Sequence, residues 1–214
     1  MSEVRGRFVV FEGGDGVGKT TQVELLCGRL AAQGREVVRT FEPGDTALGV
    51  TLRRLLLEPG SWGVSARAEA LLYAADKAQH LDEVVRPALA RGAVVVCDRY
   101  VDSMIAYQGA GRVLDPVEVE QVAAWATAGL RPDLTVLLDL EPARGVSEKV
   151  EHDRLEGAGE AFHGRARAFF LELAGRDPAH YLVLPARDPR EVLAERVAER
   201  VGALLSVPAG TLPA

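Results

Sequence analysis

The sequence predicts an α/β protein, a five-stranded parallel sheet in a three-layer arrangement with helices on both faces. Three observations predict it. Short apolar runs alternate with longer stretches of helical spacing, the pattern of strand–crossover–strand units. Several runs are apolar at every position, as strands covered on both faces are, whereas half-exposed strands alternate. The 214 residues, 48% hydrophobic and 26% charged, suffice for one domain with a sizeable core and argue against disorder.

The five expected strands are Phe8–Phe11, Val37–Phe41, Val94–Cys97, Leu134–Leu138 and Tyr181–Leu184. After the first, Val23, Leu26, Cys27 and Leu30 follow helical spacing, and Gly34 stops the helix. A long helical stretch from about Ser65 to Arg91 ends before Gly92, with Pro87 expected to kink it. Asp115, Pro116 and Glu118 read as N-cap, first-turn proline and capping-box acid, and Gly129 lies past that helix's end. Asp188, Pro189 and Glu191 repeat the device before the last helix, Pro189–Leu205. From Val207 onward two prolines and a glycine predict a frayed tail.

Charge and composition narrow the function. No apolar run approaches the length of a membrane span, and Met1 to Arg7 has no secretory h-region or cleavage site, so the cytoplasm is expected. The two cysteines, Cys27 and Cys97, are expected to be reduced core residues. A formal net charge of −6 disfavours nucleic acid as a partner. An acidic protein that binds polyphosphates has to concentrate its cations, and Lys19, Arg53, Lys77, Arg99 and Arg154 are the candidates.

In an open parallel sheet, ligands bind beyond the carboxyl ends of the strands. Here those ends carry Gly13–Thr20, Glu42 with Pro43, Asp98 with Arg99, Asp139 with Glu141, and Ala186. The first group, Gly13-Gly14-Asp15-Gly16-Val17-Gly18-Lys19-Thr20, matches G-x-x-x-x-G-K-[ST] between a buried strand and an amphipathic helix, the context that a phosphate-binding P-loop needs. Glycines let the backbone aim several N–H groups at a phosphate, and the helix N-terminus adds partial positive charge. Lys19 is expected to reach the β- and γ-phosphates of ATP, and Thr20 to offer its hydroxyl oxygen to Mg²⁺. Thr21 continues the ATP-phosphate segment.

Asp98-Arg99-Tyr100, Ser103, Ala106-Tyr107-Gln108-Gly109, Glu42-Pro43-Gly44 and Ala78-Gln79-His80 follow the P-loop in order. With it they resemble the thymidylate kinase family over about Phe8 to Glu172. The resemblance implies the P-loop nucleotide kinase architecture, transfer of the γ-phosphate of ATP to dTMP, Mg²⁺ as cofactor and a homodimer. It implies that Arg99 and Arg53 grip the acceptor phosphate, since a guanidinium forks onto two phosphate oxygens. Asp15 matches an acid that contacts the acceptor sugar, Tyr73 a ring against the base, and Tyr107 a tyrosine crowding the 2′ position. Ser103, Met104 and Gln108 fall at the base side of the acceptor, Glu42 and Pro43 in a turn facing the same cleft. Asp98 supports Mg²⁺ or orients Arg99.

Three positions and one segment depart from the family pattern. Phe41 stands where relatives carry arginine, Lys77 where an arginine meets the base, and Met104 where a small polar residue is common. The fourth departure is a short lid around residues 145–156 within a single domain spanning 1–206. Gly16 in the P-loop leaves a catalytic cation to be supplied by that lid, where Lys149 and Arg154 are assigned the work and His152 is a solvated residue. Two other readings remain open: another nucleoside monophosphate kinase of the same fold, and a non-catalytic or GTP-dependent switch. The second lacks a guanine motif N-K-x-D, since residues 138–142 read Leu-Asp-Leu-Glu-Pro.

Overall fold

Five parallel strands form where the apolar runs stand. The computed structural model describes residues 6–58, 63–141 and 158–207. In it β1 (Arg7–Gly13), β2 (Val37–Phe41), β3 (Val94–Asp98), β4 (Leu134–Asp139) and β5 (Tyr181–Pro185) make one sheet in the order β2-β3-β1-β4-β5. Every neighbouring pair is parallel; Val9 stands beside Val96 on one side and Leu134 on the other. The central strands β1, β3 and β4 are buried almost throughout, as their unbroken apolar runs require. The edge strands β2 and β5 are half-exposed, which their composition alone did not distinguish.

Alternation along β1 divides the core into layers. Val9 and Phe11 face α1 (Lys19–Ala32) and the C-terminal helix Arg190–Ser206, packing on Val23, Leu26, Leu30, Val197 and Val201. Phe8 and Val10 face the opposite layer, on Leu81, Val85, Ala88 and Leu89. Each such side chain, taken out of water, contributes roughly 1.5–3 kcal/mol. Cys97 is buried and Cys27 only partly so, and both thiols are free.

The helices follow the spacing signals, with instructive differences. Gly34, with φ 75°, follows α1, and its N–H bonds back to the Ala31 carbonyl. The structure adds α2 (Ala47–Leu57), capped by the Thr46 hydroxyl accepting from the Gly49 N–H at 2.9 Å. The long stretch is α3 (Ala66–His80), a π-helical turn over Leu81–Val85, and α4 (Arg86–Ala90). The kink expected at Pro87 is therefore replaced by a widening upstream of it. Pro87 has no N–H and its ring would press on the carbonyl four residues back. The helix accommodates this by bonding the Arg86 N–H to the Leu81 carbonyl and restarting with Pro87 in a first turn, where no donor is needed.

Beyond β3 a short helix, α5 (Val101–Met104), runs into a second π-helical segment, Ile105–Gly111, before α6 (Pro116–Thr127). Asp115 caps α6 as expected, accepting from the Val117 N–H at 2.9 Å. Asp115→Ala is expected to cost about 1 kcal/mol, read as a lower Tm, and an unchanged Tm would refute the cap's contribution. The matching device at Asp188 does not form. The last helix starts without a side-chain cap, and Asp188 lies 3.6 Å from Arg196 instead. The remaining helices are α7 (Glu160–Arg176) and α8 (Arg190–Ser206). Val207, expected to fray, has its carbonyl held by Arg7 at 2.6 Å; residues 208–214 lie outside the described residues. So does the segment 142–157 that contains Lys149, His152 and Arg154.

Candidate active site

The carboxyl ends of β1 and β3 lie side by side, so their loops face one cleft. Gly13 leaves β1 with φ 131°, and a Cβ there would stand 2.4 Å from the Leu138 carbonyl oxygen, so only glycine fits. The loop then wraps back over itself to Gly18 and delivers Lys19 at the start of α1. The buried Lys19 ammonium donates to the carbonyls of Gly13 at 3.1 Å and Gly14 at 2.5 Å, leaving a donor over for a phosphate. Burial and the nearby Arg99 lower its pKa to about 8, against the opposing pull of Asp15. Thr20 donates its hydroxyl to Asp98 at 3.0 Å, which puts two hard oxygen donors together.

Arg99 follows β3 in the left-handed conformation, φ 70°, a strain held by its own N–H bonding to the Phe11 carbonyl at 2.9 Å. Its guanidinium donates to the Gly13 carbonyl at 2.9 Å, to Ser103 Oγ at 3.0 Å and to Asp15 Oδ1 at 2.5 Å. It also lies 5.3 Å from the centre of the Tyr107 ring. The acid inside the P-loop is thus paired. Burial opposes ionisation of Asp15, but Arg99 and Lys19 outweigh it and hold the carboxyl below its usual value.

Beneath this cation lies a residue that the sequence reading missed. Glu12 is fully buried and accepts from the N–H of Tyr100 at 2.8 Å, the N–H of Ser103 at 3.1 Å and the hydroxyl of Ser103 at 2.5 Å. Burial pushes its carboxyl up, and Arg99 and these hydrogen bonds draw it part of the way back. Through Ser103 it fixes the loop that presents Arg99. The signal was available: Glu12 is the one charged residue between the apolar run Phe8–Phe11 and the glycines, in a strand covered on both faces.

Glu42 and Lys77, both assigned to the acceptor, bind each other. Lys77 Nζ donates to Glu42 Oε2 at 2.6 Å and His80 Nδ1 to Glu42 Oε1 at 2.7 Å, all three side chains being buried. Burial and the Glu42 charge push the neighbouring Asp76 up to about 6 while it accepts from the Gly44 N–H. Arg53 donates to the Pro43 carbonyl at 2.7 Å and stacks over Phe41 at 5.7 Å, so the ring standing in place of an arginine supports a different arginine. Tyr107 stacks on Phe162, with centroids 5.7 Å apart.

One cavity of about 1080 Å³ gathers most of the candidates. Asp15 to Thr20 line one end with Asp98 and Arg99; Glu42, Pro43, Arg53, Tyr73, Lys77, Ser103, Met104, Tyr107 and Gln108 line the rest. Thr21 is exposed and, like Gly13 and Gly14, is not part of the wall.

A P-loop over a parallel sheet, with a half-buried arginine between the phosphate cradle and an aromatic-lined recess, defines a P-loop nucleotide phosphotransferase. The family model for thymidylate kinase matches residues 11–197, and the chain belongs to the thymidylate kinase family. The chain is 60% identical to a thymidylate kinase of Cutibacterium acnes over 201 residues, covering 94% of this chain and 98% of that one. It is 52% identical to a thymidylate kinase of Clavibacter michiganensis subsp. michiganensis, covering 95% and 98%. Among solved structures, thymidylate kinase from Ehrlichia chaffeensis superimposes with a TM-score of 0.77 at 28% identity, covering 92% of this chain and 99% of that chain.

Proposed function

We propose that this protein transfers the γ-phosphate of ATP to dTMP, giving dTDP and ADP. The observation that carries the reading is the placement of Arg99, between the P-loop at one end of the cavity and the tyrosine-lined recess at the other. Phosphoryl transfer needs two polyanions aligned and their charge neutralised more than it needs a covalent catalyst. Lys19 and the loop amides from Asp15 to Thr20 hold the donor. Arg99 and Arg53 hold the acceptor phosphate, with Asp15 keeping Arg99 aimed. Tyr73, Ser103, Met104, Tyr107 and Gln108 surround the sugar and base; Glu42, Pro43 and Lys77 shape the adjoining wall. Lys149 and Arg154 are assigned the lid's cations on sequence alone.

Mg²⁺ fits the donor set. Among the described residues there is no cluster of three or more His, Cys, Asp or Glu side chains to hold an ion. Thr20 and Asp98 offer adjacent oxygens of the kind Mg²⁺ takes while keeping phosphate and water ligands. When bound it would neutralise charge on the donor phosphates. We assign the protein to the cytoplasm as a homodimer, with the exposed Leu71 of α3 and Val117 and Trp125 of α6 as the apolar surface for a second copy, and without nucleic acid or membrane as partners. Among the described residues no helix is long and apolar enough to cross a membrane.

The purified protein with Mg·ATP and each common nucleoside monophosphate is expected to form ADP rapidly with dTMP. Turnover confined to a different monophosphate would replace dTMP by that acceptor, and slow acceptor-independent GTP hydrolysis would make the protein a switch.

A further inference from the structure

We propose that Glu69 is a positioning residue that fixes the side-chain amide of Gln108 with its carbonyl toward the cavity, so that the recess accepts a base whose ring nitrogen carries a proton and disfavours one whose ring nitrogen is an acceptor. The inference rests on the reading of this recess as the acceptor's base site. Gln108 is almost fully buried at the cavity wall, and its Nε2 donates to Glu69 Oε1 at 2.9 Å. Glu69 is fully buried and takes a guanidinium on both oxygens, from Arg112 Nε and Nη2, each at 3.2 Å. A carboxylate held that way has only acceptors to offer. Turning the Gln108 amide over would set its oxygen against a carboxylate oxygen and take from Glu69 the donor it now has. The amide therefore has one allowed orientation, and Oε1 is the group left over; among the described residues nothing donates to it.

The lock is braced on three sides. Arg112 lies over the Phe162 ring at 5.0 Å, and its N–H bonds to the Tyr107 carbonyl at 2.9 Å. Gly111 lets that ring approach, because a Cβ there would fall 2.6 Å from it. Glu69 itself stands one helical turn before Tyr73 on α3, so one helix face carries both the lock and an aromatic wall of the recess. An inward carbonyl complements the ring N–H of thymine and uracil and opposes the unprotonated ring nitrogen of cytosine. It does not tell thymine from uracil, so dUMP falls on the same side as dTMP.

The test compares kcat/KM for dTMP, dUMP and dCMP in wild type and Glu69→Gln, whose amide removes the carboxylate's bar to turning Gln108. The preference for dTMP and dUMP over dCMP is expected to fall at least about ten-fold, through a higher KM for dTMP, with the KM for ATP within about two-fold. An unchanged preference overturns the proposal, as does a uniform loss on all three acceptors. Should the variant not fold, the wild-type chain decides: the Gln108 side-chain ¹⁵N amide signals are expected to be protected from solvent exchange before dTMP is added and to stay so after. Loss of that protection on binding overturns the lock. Failure of the underlying reading gives a different result, wild-type protein that does not turn over dTMP while a purine monophosphate is phosphorylated.

Discussion

Arg99→Ala is expected to lower kcat/KM for dTMP by about 10³-fold or more, with KM for dTMP raised and KM for ATP nearly unchanged. The size follows from removing a cation assigned to charge shared between two phosphates in a half-buried site, where single donors are worth about 10²–10³ and arginines at phosphoryl groups more. The guanidinium is held by three groups of the protein itself, so it is aimed before any acceptor arrives. Arg99→Lys is expected to recover only a small part, because an ammonium cannot bridge Gly13, Ser103 and Asp15 while also forking onto a phosphate. The alanine also has to adopt φ near 70°, so Tm is measured alongside, and the activity loss is expected to exceed any loss of fold. Turnover and acceptor affinity equal to wild type would remove Arg99 from the site.

The places of Lys19 and Thr20 were legible in the sequence because a P-loop is contiguous: the backbone conformation that binds a phosphate fixes both glycine positions and the helix that follows, whereas Asp15 stood out only through the family resemblance. The strand ends were legible for a similar reason, since an apolar run that stops at a polar residue marks where the chain leaves the sheet. What was not legible is pairing across distance. Glu12 stood out by type, but its partner Ser103 lies 91 residues on. Lys77 looked like a cation free for a base, and only the folded chain brings Glu42 and His80 onto it. Phe41 and Arg53 stack because the turn after β2 folds back on α2, a contact no local pattern encodes. The same limit hid the edge positions of β2 and β5, because sheet order is a property of crossovers and not of strand composition.

Lys77→Met tests that pairing, and it is expected to destabilise the protein by about 3–5 kcal/mol, the usual consequence of leaving one partner of a buried ion pair behind. Glu42 would remain in the core with His80 as its close donor. The neutralised double variant Glu42→Gln/Lys77→Met is expected to recover most of the loss, because two uncharged groups of similar size carry no unpaired charge. The pH dependence has a definite sign. Burial opposes ionisation of Glu42, yet Lys77 and His80 outweigh it and hold the carboxyl below its ordinary value. A depressed carboxyl contributes stability that is present above its unfolded pKa of about 4.3 and is lost as pH falls through the folded value. Without Lys77 the burial contribution is left largely unopposed and the carboxyl rises, so the gap in stability between wild type and variant is expected to narrow as pH is lowered from 7 towards 5. Thermal or urea unfolding across that range reads it directly. A variant as stable as wild type at neutral pH would mean that water, and not Lys77, compensates the Glu42 charge.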